Sequence, residues 1–155
     1  MSRPRCTRCQ RPLAHCLCAL IPSLPSRTRV VLLQHASETP HALNTARLAA
    51  LGLRNAELLS GEVFDELPAL LATPGYRPAL LFPGEQAEIV QPYAEHKAPQ
   101  PGALSTIEAV VQALDVLEAP VRFDALLRPF EALIEGQIQA MGAETFERNH
   151  GQGGA

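Results

Sequence analysis

TRVVLLQ, residues 28–34, is the stretch on which the reading of the fold turns. It is a short, continuous apolar run, the pattern of a strand buried on both faces of a parallel sheet. The next residues, His35-Ala36-Ser37-Glu38-Thr39-Pro40, read as a loop, with Thr39 as N-cap and Pro40 at the first helical position. The helix runs through Leu43, Arg47 and Leu48 and stops at Gly52. Asn55 to Leu59 is a second short strand, and a helix from about Asp65 to Thr73 ends at Pro74 and Gly75. Ala79-Leu80-Leu81-Phe82 is a third strand, closed by Pro83-Gly84. Strands alternating with helices predict an α/β domain with a mainly parallel sheet and flanking helices.

Downstream the rhythm breaks. Residues 83–103 carry Pro83, Pro92, Pro99 and Pro101 without apolar periodicity, and read as an extended connector. Helical spacing returns with Ile107, Val110, Val111, Leu114 and Leu117, opened by a Ser105/Glu108 capping box and ended by Pro120. A last helix spaces Leu126, Leu127, Phe130, Leu133, Ile134, Ile138 and Met141 along one stripe, a core or dimer face. Residues 150–155 read as a disordered tail.

Upstream, residues 1–26 hold every cysteine of the chain, Cys6, Cys9, Cys16 and Cys18, spaced C-x2-C-x6-C-x-C. A C-x2-C turn lets two thiolates approach one ion from a rigid knuckle, and four thiolates suit tetrahedral zinc. The C-x-C pair is tighter than a usual second knuckle, and His15 is an alternative ligand. Disulfides are the competing reading, although a C-x-C disulfide would be strained. A redox pair at Cys6 and Cys9 is another, without the βαβ context it needs. The zinc reading makes residues 1–26 a small structural knuckle, because four protein ligands leave no open position for chemistry.

With 155 residues, 46% of them hydrophobic and 19% charged, the chain has the composition of a soluble globular protein. No apolar run reaches the ~20 residues of a membrane span, and the N-terminus shows no secretory h-region, so a cytoplasmic protein is expected. The net charge of −3 is unevenly placed. Residues 1–29 contain Arg3, Arg5, Arg8, Arg11, Arg27 and Arg29 and no acid, so the remainder carries −9. Four thiolates around one Zn²⁺ would lower the front segment from +6 to about +4. A basic front on an acidic body is the asymmetry expected where one face meets a phosphate backbone.

From Cys6 onward the chain resembles the DTW-domain family, whose members include tRNA-uridine aminocarboxypropyltransferases. The resemblance rests on CTRCQRPLAHCLC (6–18), TRVVLLQHASE (28–38), LNTARLAALGL (43–53), LLFPG (80–84) and GALSTIEAVVQAL (102–114), in the family's order. It implies a SPOUT-like fold and transfer of the 3-amino-3-carboxypropyl group of S-adenosylmethionine to N3 of a tRNA uridine. The family's Asp-Thr-Trp signature is missing, since the chain has no tryptophan. After LLFPG a short connector leads to PYAEHK (92–97), where Ala94 and His96 replace the arginines of the family's basic Tyr-Arg-x-Arg segment. The implied organisation is a zinc knuckle over 1–26, a shortened DTW-type α/β domain over 27–149 with an incomplete sheet, and a tail over 150–155.

Within that resemblance the candidate site residues follow. His35 and Glu38 lie just past the carboxyl end of a parallel strand, where α/β sites sit, and are the catalytic candidates; a hydrogen-bonded loop is the alternative. Phe82, Pro83 and Gly84 would wall the S-adenosylmethionine site. Leu104, Ser105 and Thr106 open a helix whose free N–H groups suit the carboxylate of its methionyl tail. Asn44 and Arg47 face the same edge. Glu108 reads as a cap rather than a catalyst. Arg3, Arg5, Arg8, Arg11, Arg47 and Lys97 are the candidate RNA contacts. The chain is read as such a transferase; the alternatives are a non-catalytic zinc-containing RNA-binding protein derived from that family and a structural fragment with no ligand.

Overall fold

The computed structural model describes residues 3–41, 43–81 and 105–142. The expectations for Phe82, the connector 83–103, Leu104 and the tail at 150–155 fall outside those residues.

Two strands form. β1 (Val30–Gln34) pairs in parallel with β2 (Ala56–Ser60), Val30 opposite Ala56 and Gln34 opposite Ser60. The crossover between them is α1 (Thr45–Gly52), as parallel pairing requires. Leu24 adds an isolated parallel bridge to Leu53, donating to Gly52 O at 2.9 Å and accepting from Arg54 N–H at 2.9 Å. The pairing is thereby extended backward toward the N-terminal lobe.

Several expectations shift. α1 begins at Thr45 and not at Pro40, because Asn44 is its N-cap, accepting the Arg47 N–H at 3.2 Å. Residues 36–38 instead make a 3₁₀ turn, with Thr39 N–H donating to Ala36 O at 3.3 Å and His41 N–H to Glu38 O at 3.0 Å. The apolar run predicts a strand over Ala79–Phe82, but residues 79–81 are not in a strand, and Leu80 and Leu81 are largely exposed. Among the described residues the sheet therefore has two strands, and a SPOUT-like sheet is not reached. β1 is also not buried on both faces: Leu32 and Gln34 are buried, whereas Leu33 between them is exposed.

The helices cover one face. α2 (Leu67–Leu71) is short, and α3 (Thr106–Leu117) opens with the expected reciprocal box between Ser105 and Glu108. Leu126 and Leu127 stand in a 3₁₀ turn over Asp124–Leu127 rather than in the last helix, and α4 (Arg128–Met141) follows. Pro129 fits its first turn, where the missing N–H costs nothing.

α1 and α3 bury Leu48, Ala49, Ile107, Val110, Val111 and Leu114 against Leu32, Phe123, Leu126 and Leu133. At Gly52 the packing admits no side chain, since a Cβ there would collide with Leu126 Cδ1. Leu17, between the last two cysteines, joins this core and ties the N-terminal lobe to it. The stripe of α4 divides: Leu133 is core, while Phe130, Ile134 and Ile138 line an open groove beside Glu131 and Glu135. No described helix is long and apolar enough to cross a membrane.

Candidate functional site

Two sites emerge, one in the lobe and one at the sheet edge. The lobe is a small hairpin. Arg5 and Pro12 form an antiparallel bridge, Leu13 N–H donates to Pro4 O at 3.0 Å, and Cys6 N–H donates to Arg11 O at 2.8 Å. The turn between them closes with Gln10 N–H on Cys6 O at 2.9 Å, and Gln10 takes φ +61° to allow it. This brings Cys6 and Cys9 to one side, and two 3₁₀ turns (Leu13–His15 and Cys18–Leu20) deliver Cys16 and Cys18 to the other.

The four Sγ atoms lie within 4.8 Å of one another, with Cys6–Cys18 at 3.6 Å and Cys9–Cys16 at 3.8 Å. Metal–sulfur bonds of ~2.3 Å in a tetrahedron separate their sulfurs by about 3.8 Å. A disulfide would hold them at ~2.05 Å. The cysteines are free, and the group is able to hold a metal ion. His15 does not belong to it.

Its electrostatics favour a cation. Backbone hydrogen bonds from Cys9 and then Arg8, followed by the Cys18 thiol, lower Cys6 from 9.0 to about 6. Cys18 is pushed up to about 12, first by burial and then by its neighbours' sulfurs. Thiolates crowded this closely repel one another, and a cation between them would relieve that repulsion. Arg11 braces the loop by donating from Nε to His15 O at 3.1 Å, and burial lowers its pKa. Arg3, Arg5 and Arg8 are exposed around the lobe. Arg29 is not: it bonds Glu57 at 3.1 Å, so that charge is neutralised within the fold.

The second site is a polar cleft of about 270 Å³ lined by Gln34, Glu38, His41, Leu43, Asn44, Thr45, Ala46 and Thr106. It opens at the carboxyl end of β1, where the crevices of parallel sheets lie. Gln34 and Asn44 form its floor through a reciprocal amide pair, Nε2 to Oδ1 at 2.9 Å and Nδ2 to Oε1 at 3.3 Å. Ser60 Oγ also donates to Gln34 Oε1 at 3.3 Å, so the ends of both strands are bound into one network. Gln34 is only 4% exposed, which makes these bonds obligatory.

The sequence candidates separate here. Glu38 and Thr106, 68 positions apart, meet in the cleft. His35 does not line it; its Nδ1 lies 2.7 Å from Ser37 Oγ and 3.2 Å from Ser37 N, and its Nε2 faces Glu62 at 3.9 Å. Ser105 is occupied by Glu108, whose Oε2 accepts from both Ser105 N and Oγ at 2.8 Å. Arg47, on α1, does not line the cleft. Phe82, Pro83, Gly84, Leu104 and Lys97 lie outside the described residues. Sequence reasoning misses Gln34 and His41 as site residues. Gln34 ends an apolar strand and His41 sits in a loop, with no spacing to mark either.

Two proteins named as tRNA-uridine aminocarboxypropyltransferases are similar to this chain. Over 55 residues the chain is 40% identical to tRNA-uridine aminocarboxypropyltransferase A of Arabidopsis thaliana, covering 34% of this chain and 21% of that protein. It is 26% identical to tRNA-uridine aminocarboxypropyltransferase 2 of Drosophila melanogaster, covering 88% of this chain and 76% of the fly protein. The chain thus matches about a fifth of the plant relative's length. The fly alignment runs over 192 positions, more than the 155 residues of this chain, so it passes over stretches with no counterpart here. No solved structure matches. The family model for the DTW domain matches residues 3–100, and the chain belongs to the DTW domain family.

Proposed function

We propose that this chain modifies tRNA in the cytoplasm, transferring the 3-amino-3-carboxypropyl group of S-adenosylmethionine to N3 of a uridine. The observation that carries the reading is the polar cleft at the carboxyl end of β1, in a family whose matched relatives bear that activity in their names. Bound S-adenosylmethionine would supply the transferred carbon on a sulfonium leaving group. The chain's own part is to hold the uridine and accept the N3 proton. Among the described residues Glu38 and His41 are the titratable groups lining the cleft, and Glu38 takes that proton in this reading. Such a base contributes ~10²–10⁴-fold.

At about 270 Å³ the cleft is smaller than the ~300–1,000 Å³ of sites that enclose a drug-sized ligand. It suits one end of S-adenosylmethionine, with Thr106 at the start of α3 beside the amino-acid portion. Phe82, Pro83, Gly84 and Leu104 would supply further contacts. The lobe holds one structural zinc ion through Cys6, Cys9, Cys16 and Cys18, a reading supported by the sulfur spacing. Arg3, Arg5, Arg8, Arg11, Arg47 and Lys97 contribute to tRNA contact, with Arg3, Arg5 and Arg8 the best exposed of those described.

A second reading has its own support. The absent tryptophan and the gapped fly alignment favour a non-catalytic, zinc-containing RNA-binding protein derived from the family. Incubation with tRNA and S-adenosylmethionine, followed by nucleoside mass spectrometry, separates the two. Aminocarboxypropyluridine that falls ~10²-fold or more in Glu38→Gln supports the first. Retained tRNA affinity with no modified nucleoside selects the second.

A further inference from the structure

We propose that the four-cysteine lobe is an oxidation switch: peroxide converts it into two nested disulfides, Cys6–Cys18 and Cys9–Cys16, and ejects the metal. This rests on the metal reading of the lobe and goes beyond it by fixing the connectivity. Sulfur contacts of 3.6 Å and 3.8 Å join these two pairs, each between the Cys6–Cys9 knuckle and the Cys16–Cys18 segment rather than within either. Contraction to a disulfide therefore moves each pair by less than 2 Å. The competing C-x-C bridge would close a strained ring across Leu17, which is anchored in the core.

Access and framework are both in place. Cys16 is exposed and Cys6 half-buried, so each proposed pair offers one sulfur to a small oxidant. The Arg5–Pro12 bridge and the Cys6–Arg11 and Leu13–Pro4 hydrogen bonds fix the segment that carries Cys6 and Cys9, while Leu17 in the core anchors the segment between Cys16 and Cys18. Chemically, a thiolate attacks one oxygen of hydrogen peroxide, the O–O bond breaks, hydroxide leaves and a sulfenic acid forms. The partner thiolate displaces the second hydroxide and closes the S–S bond. Each disulfide thus consumes two thiolates and one peroxide, and two peroxides free one metal ion. The cluster changes from a net −2 with a bound dication to neutral, which returns residues 1–29 to the +6 of their arginines.

The test uses the full chain as isolated. Metal content is measured first, hydrogen peroxide is titrated in, and released metal is followed with a chromogenic chelator. The oxidised protein is then digested for disulfide mapping. Cleavage after Arg8, Leu13 and Leu17 separates all four cysteines. The expected result is one metal released per two peroxides, with Cys6–Cys18 and Cys9–Cys16 linked in the same molecules. Cys6–Cys9 or Cys16–Cys18 bridges, intermolecular bridges, or metal retained after oxidation would overturn the proposal. A chain isolated without metal overturns the metal reading and the ejection with it, while the digest still decides the pairing.

Discussion

Glu118 Oε1 accepts the backbone N–H of Arg27 at 2.5 Å and that of Thr28 at 3.3 Å. The carboxylate follows the end of α3, is 5% exposed, and bonds a segment 91 residues earlier in the chain. It thus clamps the link between the N-terminal lobe and β1. Its other oxygen has no partner among the described residues, so the arrangement depends on the Oε1 bonds alone. Glu118→Ala strands both N–H groups and should cost about 1–3 kcal/mol, read from the urea midpoint. Glu118→Gln keeps an acceptor and should lose less. Equal losses would mean that the charge, and not the acceptor, holds the link.

The lobe should depend on its metal. Cys6→Ser and Cys9→Ser should each abolish the one metal per chain and release the 4–13 hairpin to proteolysis. Structural zinc contributes ~10 kcal/mol or more in small domains, far above the few backbone hydrogen bonds that remain. Elemental analysis and limited proteolysis check this together. A lobe that stays protected without metal would show that the hairpin and Leu17 suffice.

The arginines should divide by exposure. Arg5→Glu and Arg8→Glu should weaken tRNA binding and lower the salt slope by ~1 for each phosphate that is no longer neutralised. Arg29→Gln should leave the slope unchanged, because Glu57 and Thr73 already engage that guanidinium. Filter binding across a salt series distinguishes them. A slope change in Arg29→Gln alone would place the RNA on the sheet rather than on the lobe.

Two glycine-to-alanine changes should act in opposite directions. Gly52→Ala drives a methyl into Leu126, which is fully buried, and overpacking of this kind costs about 1–3 kcal/mol. Gly136→Ala, inside α4 with open space around its Cβ, should stabilise by about 0.5–1 kcal/mol. Urea denaturation of both proteins checks the packing of α1 against the Asp124–Leu127 turn.

Asn44 holds two features at once, the start of α1 and the floor of the cleft. Asn44→Ala removes a cap worth about 1 kcal/mol and leaves buried Gln34 without its reciprocal amide partner. The combined loss should exceed that of Thr39→Ala, the cap that the sequence pattern favours. If Thr39→Ala is the more damaging, α1 starts earlier than the hydrogen bonds indicate.

Features set by a few neighbouring residues are legible in the chain before it folds. The Ser105/Glu108 box, the apolar run of β1 and the helix stop at Gly52 are of this kind, because each is decided within a few residues; the cysteine spacing marks the metal site but leaves its ligand set open. The ordered family blocks are legible for the same reason. Which candidates meet is settled by long-range packing instead. Asn44 displaces Thr39 as a cap because Gln34, ten residues earlier, offers it an amide partner that no local rule anticipates. Glu38 meets Thr106 in the cleft while His35, three residues from Glu38, turns away to Ser37. Residues 79–81 read as a strand but form none, since a strand needs a partner edge as well as an apolar run. The pairing of Cys6 with Cys18 and of Cys9 with Cys16 is likewise invisible in C-x2-C-x6-C-x-C. It arises only when the hairpin folds and lays the two knuckles across each other.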